Sequence, residues 1–105
     1  MITSGKGKHK VCLKEINIGS DKLFFLYGGD KPHIGGIAIC EPGGKSKTIS
    51  LQHHKDNIVL LPIAEKSCSK YKVTTVAVGG IHIDNATKND IDIILKNCKE
   101  LLSCI

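Results

Sequence analysis

The chain has no arginine and no tryptophan in 105 residues, and Phe24, Phe25, Tyr27 and Tyr71 are its only aromatic residues. Without guanidinium forks it lacks the usual bidentate reader of guanine and clamp for phosphate, and four aromatics give no ladder for stacked bases. Lysines alone supply the basic side of the +5 formal charge, scattered from Lys6 to Lys99. This distribution describes a solvated surface rather than a nucleic-acid footprint, while an anionic small ligand stays compatible with it. No apolar run approaches the ~20 residues of a membrane span, so no membrane partner is expected. Met1–Lys10 has lysines with no hydrophobic run behind them, which argues against a secretory signal. Gly5, Gly7 and the charges there predict a flexible N-terminal segment over residues 1–9.

Paired cysteines are missing too. Cys12, Cys40, Cys68, Cys98 and Cys104 are odd in number, and no two have the two-residue spacing of zinc ribbons or redox motifs. They read as reduced thiols of a cytoplasmic protein, with Cys12, Cys40 and Cys98 acting as small hydrophobes on apolar faces. The lysine- and isoleucine-rich usage without arginine leads us to expect an AT-rich bacterial genome as its source.

What is present suits one globular domain over residues 10–105, with 41% apolar residues and interspersed charge. Alternation over Lys10–Ile18 predicts a strand ending at Gly19. Lys22–Tyr27, Ile34–Glu41 and Ser46–Leu51 predict three more, separated by Gly28-Gly29-Asp30 and Pro42-Gly43-Gly44, and short connections suit antiparallel neighbours. The period then lengthens: Ile58, Leu61, Ala64 and Cys68, widened by Val59, Leu60 and Ile63, predict a helix over Asp56–Ser69, kinked or started late by Pro62. Lys72–Val78 reads as a central strand. Thr87 with Asp90 three residues on forms an acidic capping box for a last helix, whose stripe is Ile91, Ile94, Leu95, Cys98, Leu101 and Leu102. The fold class is therefore α+β, a mainly antiparallel sheet of five or six strands with two helices on one face, in the order ββββαβα. A self-pairing dimer could cover the other face.

Four of the five histidines fall where regular structure stops, at Asp30–Gly36, His53–Asp56 and Gly79–Asn85. In an extended segment His82 and Asp84 project to the same side, a bidentate arrangement able to hold a divalent cation. The plainer reading is that Asp84 or Asn85 caps the helix and His82 lies on the surface. Adjacent His53 and His54 point in opposite directions, so one of them, His54, is favoured to share a cleft with Asp56. Lys55 and a helix N-terminus behind it could receive a phosphate; alternatively Asp56 is only an N-cap. Pro32 fixes the approach to His33, and the Gly35-Gly36 and Gly79-Gly80 doublets leave room beside the histidine segments. None of the glycine doublets matches a nucleotide-binding fingerprint.

The series Gly29-Asp30-Lys31-Pro32-His33-Ile34-Gly35, His54-Lys55-Asp56 and Gly80-Ile81-His82-Ile83-Asp84-Asn85-Ala86-Thr87 resembles the prenylated-flavin chaperone family with the LpdD-like domain, the D subunit of gallate-type decarboxylases. The resemblance runs from about Lys22 to Leu102 and implies a fold like that of proteasome assembly chaperones, with a tendency to form a homodimer. It implies a non-catalytic carrier that binds prenylated FMN through a divalent metal and delivers it to a UbiD-type decarboxylase. Carried over residue by residue, the metal or phosphate ligands would be His33, His54 and His82 with Asp56 and Asp84 beside them, and Gly35, Gly36, Lys55, Gly80 and Asn85 would contact the cofactor. His53, in place of a small residue, and Asn57, in place of an acid, depart from the family pattern. Two other classes are open to the same residues. One is a small metal-dependent enzyme using His54, His82 and Asp84 for hydrolysis or proton transfer. The other is a dimeric assembly chaperone acting through protein contacts alone.

Overall fold

The computed structural model describes residues 1–52 and 54–105; His53 lies outside the described residues. Six strands form one sheet: β1 (Ile2–Ser4), β2 (Val11–Ile18), β3 (Asp21–Gly29), β4 (Gly36–Cys40), β5 (Lys47–Ser50) and β6 (Thr75–His82). Two helices, α1 (Asn57–Tyr71) and α2 (Lys88–Ser103), complete the α+β fold. The strand order is β1-β2-β3-β6-β4-β5, antiparallel throughout except where β6 runs parallel to β3.

Period-two alternation explains the layering. Val11, Leu13, Phe24, Leu26, Ala38 and Ala77 share one face of the sheet and are at most 2% exposed. Against them pack Leu60, Ile63, Ala64 and Cys68 of α1 and Ile94, Cys98 and Leu101 of α2, a single core between sheet and helices. Ala38 opposite Ala77 matters here, because small side chains in mid-sheet let α1 approach β4 and β6 closely. The other face presents Leu23, Phe25, Val76, Val78, Ile37 and Ile39 in adjoining register rows, all half-buried with no described element over them.

Four sequence expectations change. Residues 1–9 do not form a loose end: Ile2–Ser4 pair with Val11–Leu13, Gly7–His9 make a 3-10 turn, and Lys8 and His9 reach Asp90 of α2. Strands β3 and β4 are not neighbours, since β6 enters between them and uses both of their edges. The last strand begins at Thr75 rather than Lys72, because Lys72 adopts a left-handed conformation (φ 57°) and ends α1 through its N–H to the Cys68 carbonyl. Helix α1 does not start late but runs continuously from Asn57 with Pro62 inside it, and its buried face runs through Leu60, Ile63, Ala64, Ser67 and Cys68, leaving Ile58 66% exposed.

Helix α2 begins as its sequence dictates. Thr87 Oγ1 accepts the Asp90 N–H at 3.1 Å, and Asp90 Oδ2 accepts the Thr87 N–H at 3.0 Å. Buried Asp90 also accepts from His9 Nε2 at 2.8 Å. Its carboxyl is held well below the usual range, first by the Thr87 N–H and then by His9. Among the described residues no helix is long and apolar enough to cross a membrane.

Candidate metal and ligand site

Strand directions bring the histidine segments together. Because β6 is parallel to β3 while β4 is antiparallel to β6, the C-terminal ends of β3 and β6 and the N-terminal end of β4 meet at one edge. Strand β5 ends beside the start of β4, so the segment leading into α1 emerges there as well. Hydrogen bonds close this corner: Gly35 N–H to the Gly79 carbonyl (2.8 Å), Leu51 N–H to the Gly35 carbonyl (2.9 Å) and Asp30 N–H to the His82 carbonyl (2.7 Å).

At the corner His33, His54 and Asp56 form a triangle. His33 Nε2 lies 3.1 Å from His54 Nδ1 and 3.4 Å from Asp56 Oδ2, and the third edge, His54 Nδ1 to Asp56 Oδ2, is 3.9 Å. A cation about 2.1 Å from each of three N or O donors sets them roughly 3.0–3.4 Å apart, so the triangle has the scale of a metal face with one edge slightly open. Two imidazoles and a carboxylate suit zinc, nickel, manganese or iron.

Each donor is held by its surroundings. His33 Nδ1 is 3.1 Å from the Lys31 carbonyl, which can only accept, so the neutral ring carries its proton on Nδ1 and turns the bare Nε2 toward the cluster. Asp56 stands at the N-cap position of α1, yet its side chain caps nothing. Instead Oδ1 accepts the Ile81 N–H at 3.0 Å, which leaves Oδ2 to face both imidazoles. The plain N-cap role considered for Asp56 is therefore not what its carboxylate does. At 10% side-chain exposure it is also the most buried of the three donors.

The glycines beside the cluster make room first for the protein's own ligands. A methyl group on Gly35 would overlap Asp56 Oδ2, and one on Gly80 would lie 2.7 Å from His33 Nε2. Gly36 faces the Asn57 amide, which donates from Nδ2 to the Ile49 carbonyl and Ser50 Oγ, both at 2.9 Å. Asn57 thus ties β5 to the start of α1.

A second group stands at the mouth. His82 Nε2 is 3.1 Å from Asp84 Oδ1, and the same oxygen pairs with Lys31 Nζ at 3.2 Å. Lys31, and then His82, hold the Asp84 carboxyl below its ordinary value. The His82 ring centroid is 6.2 Å from that of His33, nearly edge-on, so the second group borders the triangle without joining it. Lys55 is exposed at the opening, and Asn85, in a left-handed turn (φ 52°), is exposed before α2. The α2 cap is Thr87, not Asp84 or Asn85.

Between α1 and α2 a cavity of about 420 Å³ opens directly beside His54, Asp56 and His82. Its walls are apolar, with Ile83 and Ile94 deep, Val59 half-buried, and Ile58, Ile91 and Leu95 at the rim. The sequence pattern placed Ile58, Val59, Ile91, Ile94 and Leu95 in helical stripes and Ile83 in the extended segment before α2, and missed their role as cavity walls. The signal was a stripe on each helix wider than one packing face needs.

A sequence model described as the prenylated flavin chaperone LpdD-like domain matches residues 5–105. No curated protein gives a significant match.

Proposed function

This chain belongs to the family of prenylated flavin chaperone LpdD-like domains, and we propose that it is a non-catalytic carrier that holds prenylated FMN through a divalent cation. The observation that carries this reading is the triangle of His33, His54 and Asp56, three donors from two separate segments held at ion-binding distances. The cation would anchor the phosphate in place of the bidentate guanidinium clamp that a chain without arginine lacks. His33, His54 and Asp56 would hold it, His82 and Asp84 would border it, and Lys31 and Lys55 would add positive charge at the opening. Asn85 and the Gly35, Gly36 and Gly80 backbone would line the approach. The recipient would be a UbiD-type decarboxylase in the cytoplasm.

The uncovered sheet face supports a homodimer. Leu23, Phe25, Val76, Val78, Ile37 and Ile39 lie in contiguous rows, and a second copy is the simplest cover for such a surface.

Flavin binding tests the reading. FMN fluorescence should be quenched on adding the protein with Mn²⁺ or Zn²⁺, recover with EDTA, and be unaffected by the Asp56→Asn variant. Quenching that ignores metal, chelator and variant alike would defeat the proposal. Under anaerobic co-expression with a flavin prenyltransferase, the purified protein should carry both metal and a visible flavin spectrum.

A further inference from the structure

The cavity between α1 and α2 has a composition that metal and phosphate do not explain. Its polar residues, His54, Lys55, Asp56 and His82, gather at one end, while the remainder is aliphatic. Ile58 is 66% exposed, Ile91 50% and Leu95 41%, although α2 buries Ile94, Cys98 and Leu101 on the adjacent part of the same stripe. The floor, by contrast, is buried: Ile83 is 7% and Ile94 9% exposed. A site with cation ligands at one end and an aliphatic slot at the other matches a ligand that is anionic at one end and hydrocarbon-bearing at the other.

Resting on the carrier reading above, we infer that Ile58, Ile91 and Leu95 are specificity-determining residues: the slot between α1 and α2 takes the prenyl-derived hydrocarbon of the flavin and so favours the prenylated form over plain FMN. A volume of about 420 Å³ falls within the range of pockets that enclose small-molecule ligands, roughly 300–1,000 Å³. The five-carbon addition distinguishes prenylated from plain flavin and is wholly apolar, so aliphatic walls reward it and an unmodified ring leaves the slot partly empty. The phosphate is common to both flavins, so the cation-binding end cannot tell them apart. Selection must come from another part of the site, and the slot is contiguous with that end.

The test compares anaerobic affinities for prenylated FMN and FMN, with Mn²⁺ present, in the wild type, Ile91→Asn and Leu95→Asn. Both substituted positions are solvent-exposed, so the variants should keep the fold, which circular dichroism checks; calorimetry with Mn²⁺ alone checks the cation site. The wild type should prefer the prenylated form by about tenfold or more, the scale expected for burying several methylene groups. Each variant should bring that ratio toward unity with Mn²⁺ affinity unchanged. An unchanged ratio in both variants, or equal loss of both flavins, would overturn the slot's role while leaving the metal-dependent carrier reading intact. A wild type that binds neither flavin with metal would overturn both.

Discussion

Gly80→Ala probes the site without replacing any ligand. Gly80 sits in β6, and a β-carbon built on it would lie 2.7 Å from His33 Nε2, 2.9 Å from Cε1 of the same ring and 3.0 Å from the Gly35 backbone nitrogen. Ordinary contact distances are about 3.5 Å, so the ring must retreat by about 0.8 Å. Ligand positions tolerate only about 0.2 Å, so His33 would leave the triangle. The backbone itself accepts alanine, because the φ of Gly80 is not in the left-handed region. Displacing a ligand in this way should lower divalent-metal affinity by roughly 10–100-fold, the scale of lost outer-shell support. Overpacking should cost about 1–3 kcal/mol of stability. Titration calorimetry with Zn²⁺ or Ni²⁺ reads the first effect and thermal melting the second. Gly44→Ala serves as control, since its β-carbon would meet Glu41 Cβ at an ordinary 3.5 Å. Unaltered metal affinity in folded Gly80→Ala would refute the claim that His33 Nε2 is a ligand held in a fixed place.

Other consequences follow from the cap, the buried acid and the thiols. Thr87→Ala removes the hydroxyl that accepts the Asp90 N–H, and should cost about 1 kcal/mol, seen as a melting temperature roughly 4–6 °C lower. Asp90 has a folded-state pKa below its unfolded one, so its contribution is present above the unfolded value near about 4 and is lost as pH falls toward the folded value. Denaturant titrations of Asp90→Asn should therefore show lower stability at neutral pH and a shallower decline in acid. Burial pushes the Cys98 thiol up to about 12, and burial followed by the neighbouring Cys40 pushes Cys68 up to about 11. Both contributions are fully present below the ordinary value of 9.0 and are lost as pH rises through those folded-state values. A thiol reagent at pH 8 should label exposed Cys104 first and leave Cys68 and Cys98 unmodified until unfolding.

What was legible in the sequence had a local cause. Thr87 and Asp90 announced α2 because a capping box is written within four residues, and alternation in β2 and a continuous apolar run closed by glycines in β3 gave both strands within a residue or two. Pairing partners are not local. Nothing in Thr75–His82 says that it separates β3 from β4, and three residues at Ile2–Ser4 are too few to show a period. The N-terminal segment is fastened by Lys8 and His9 to Asp90, 81 positions beyond His9, which composition alone could not reveal. At the site, residue types at loop positions drew attention to His33, His54 and Asp56, and strand direction brings them together. The same reasoning put His82 and Asp84 in the ligand set, whereas their shortest contacts are with each other and Lys31. The glycines were read as space for a ligand, yet the nearest claimants on that space are Asp56 and His33.

Electron spin-echo spectroscopy of the protein loaded with Mn²⁺ and FMN tests the central claim most directly, because it reports the nuclei bound to or beside the ion. The account predicts nitrogen modulation from imidazole together with a phosphorus coupling from the flavin phosphate, the nitrogen signal diminishing in His33→Ala. A spectrum of fully hydrated Mn²⁺, or one with phosphorus coupling but no imidazole nitrogen, would contradict it.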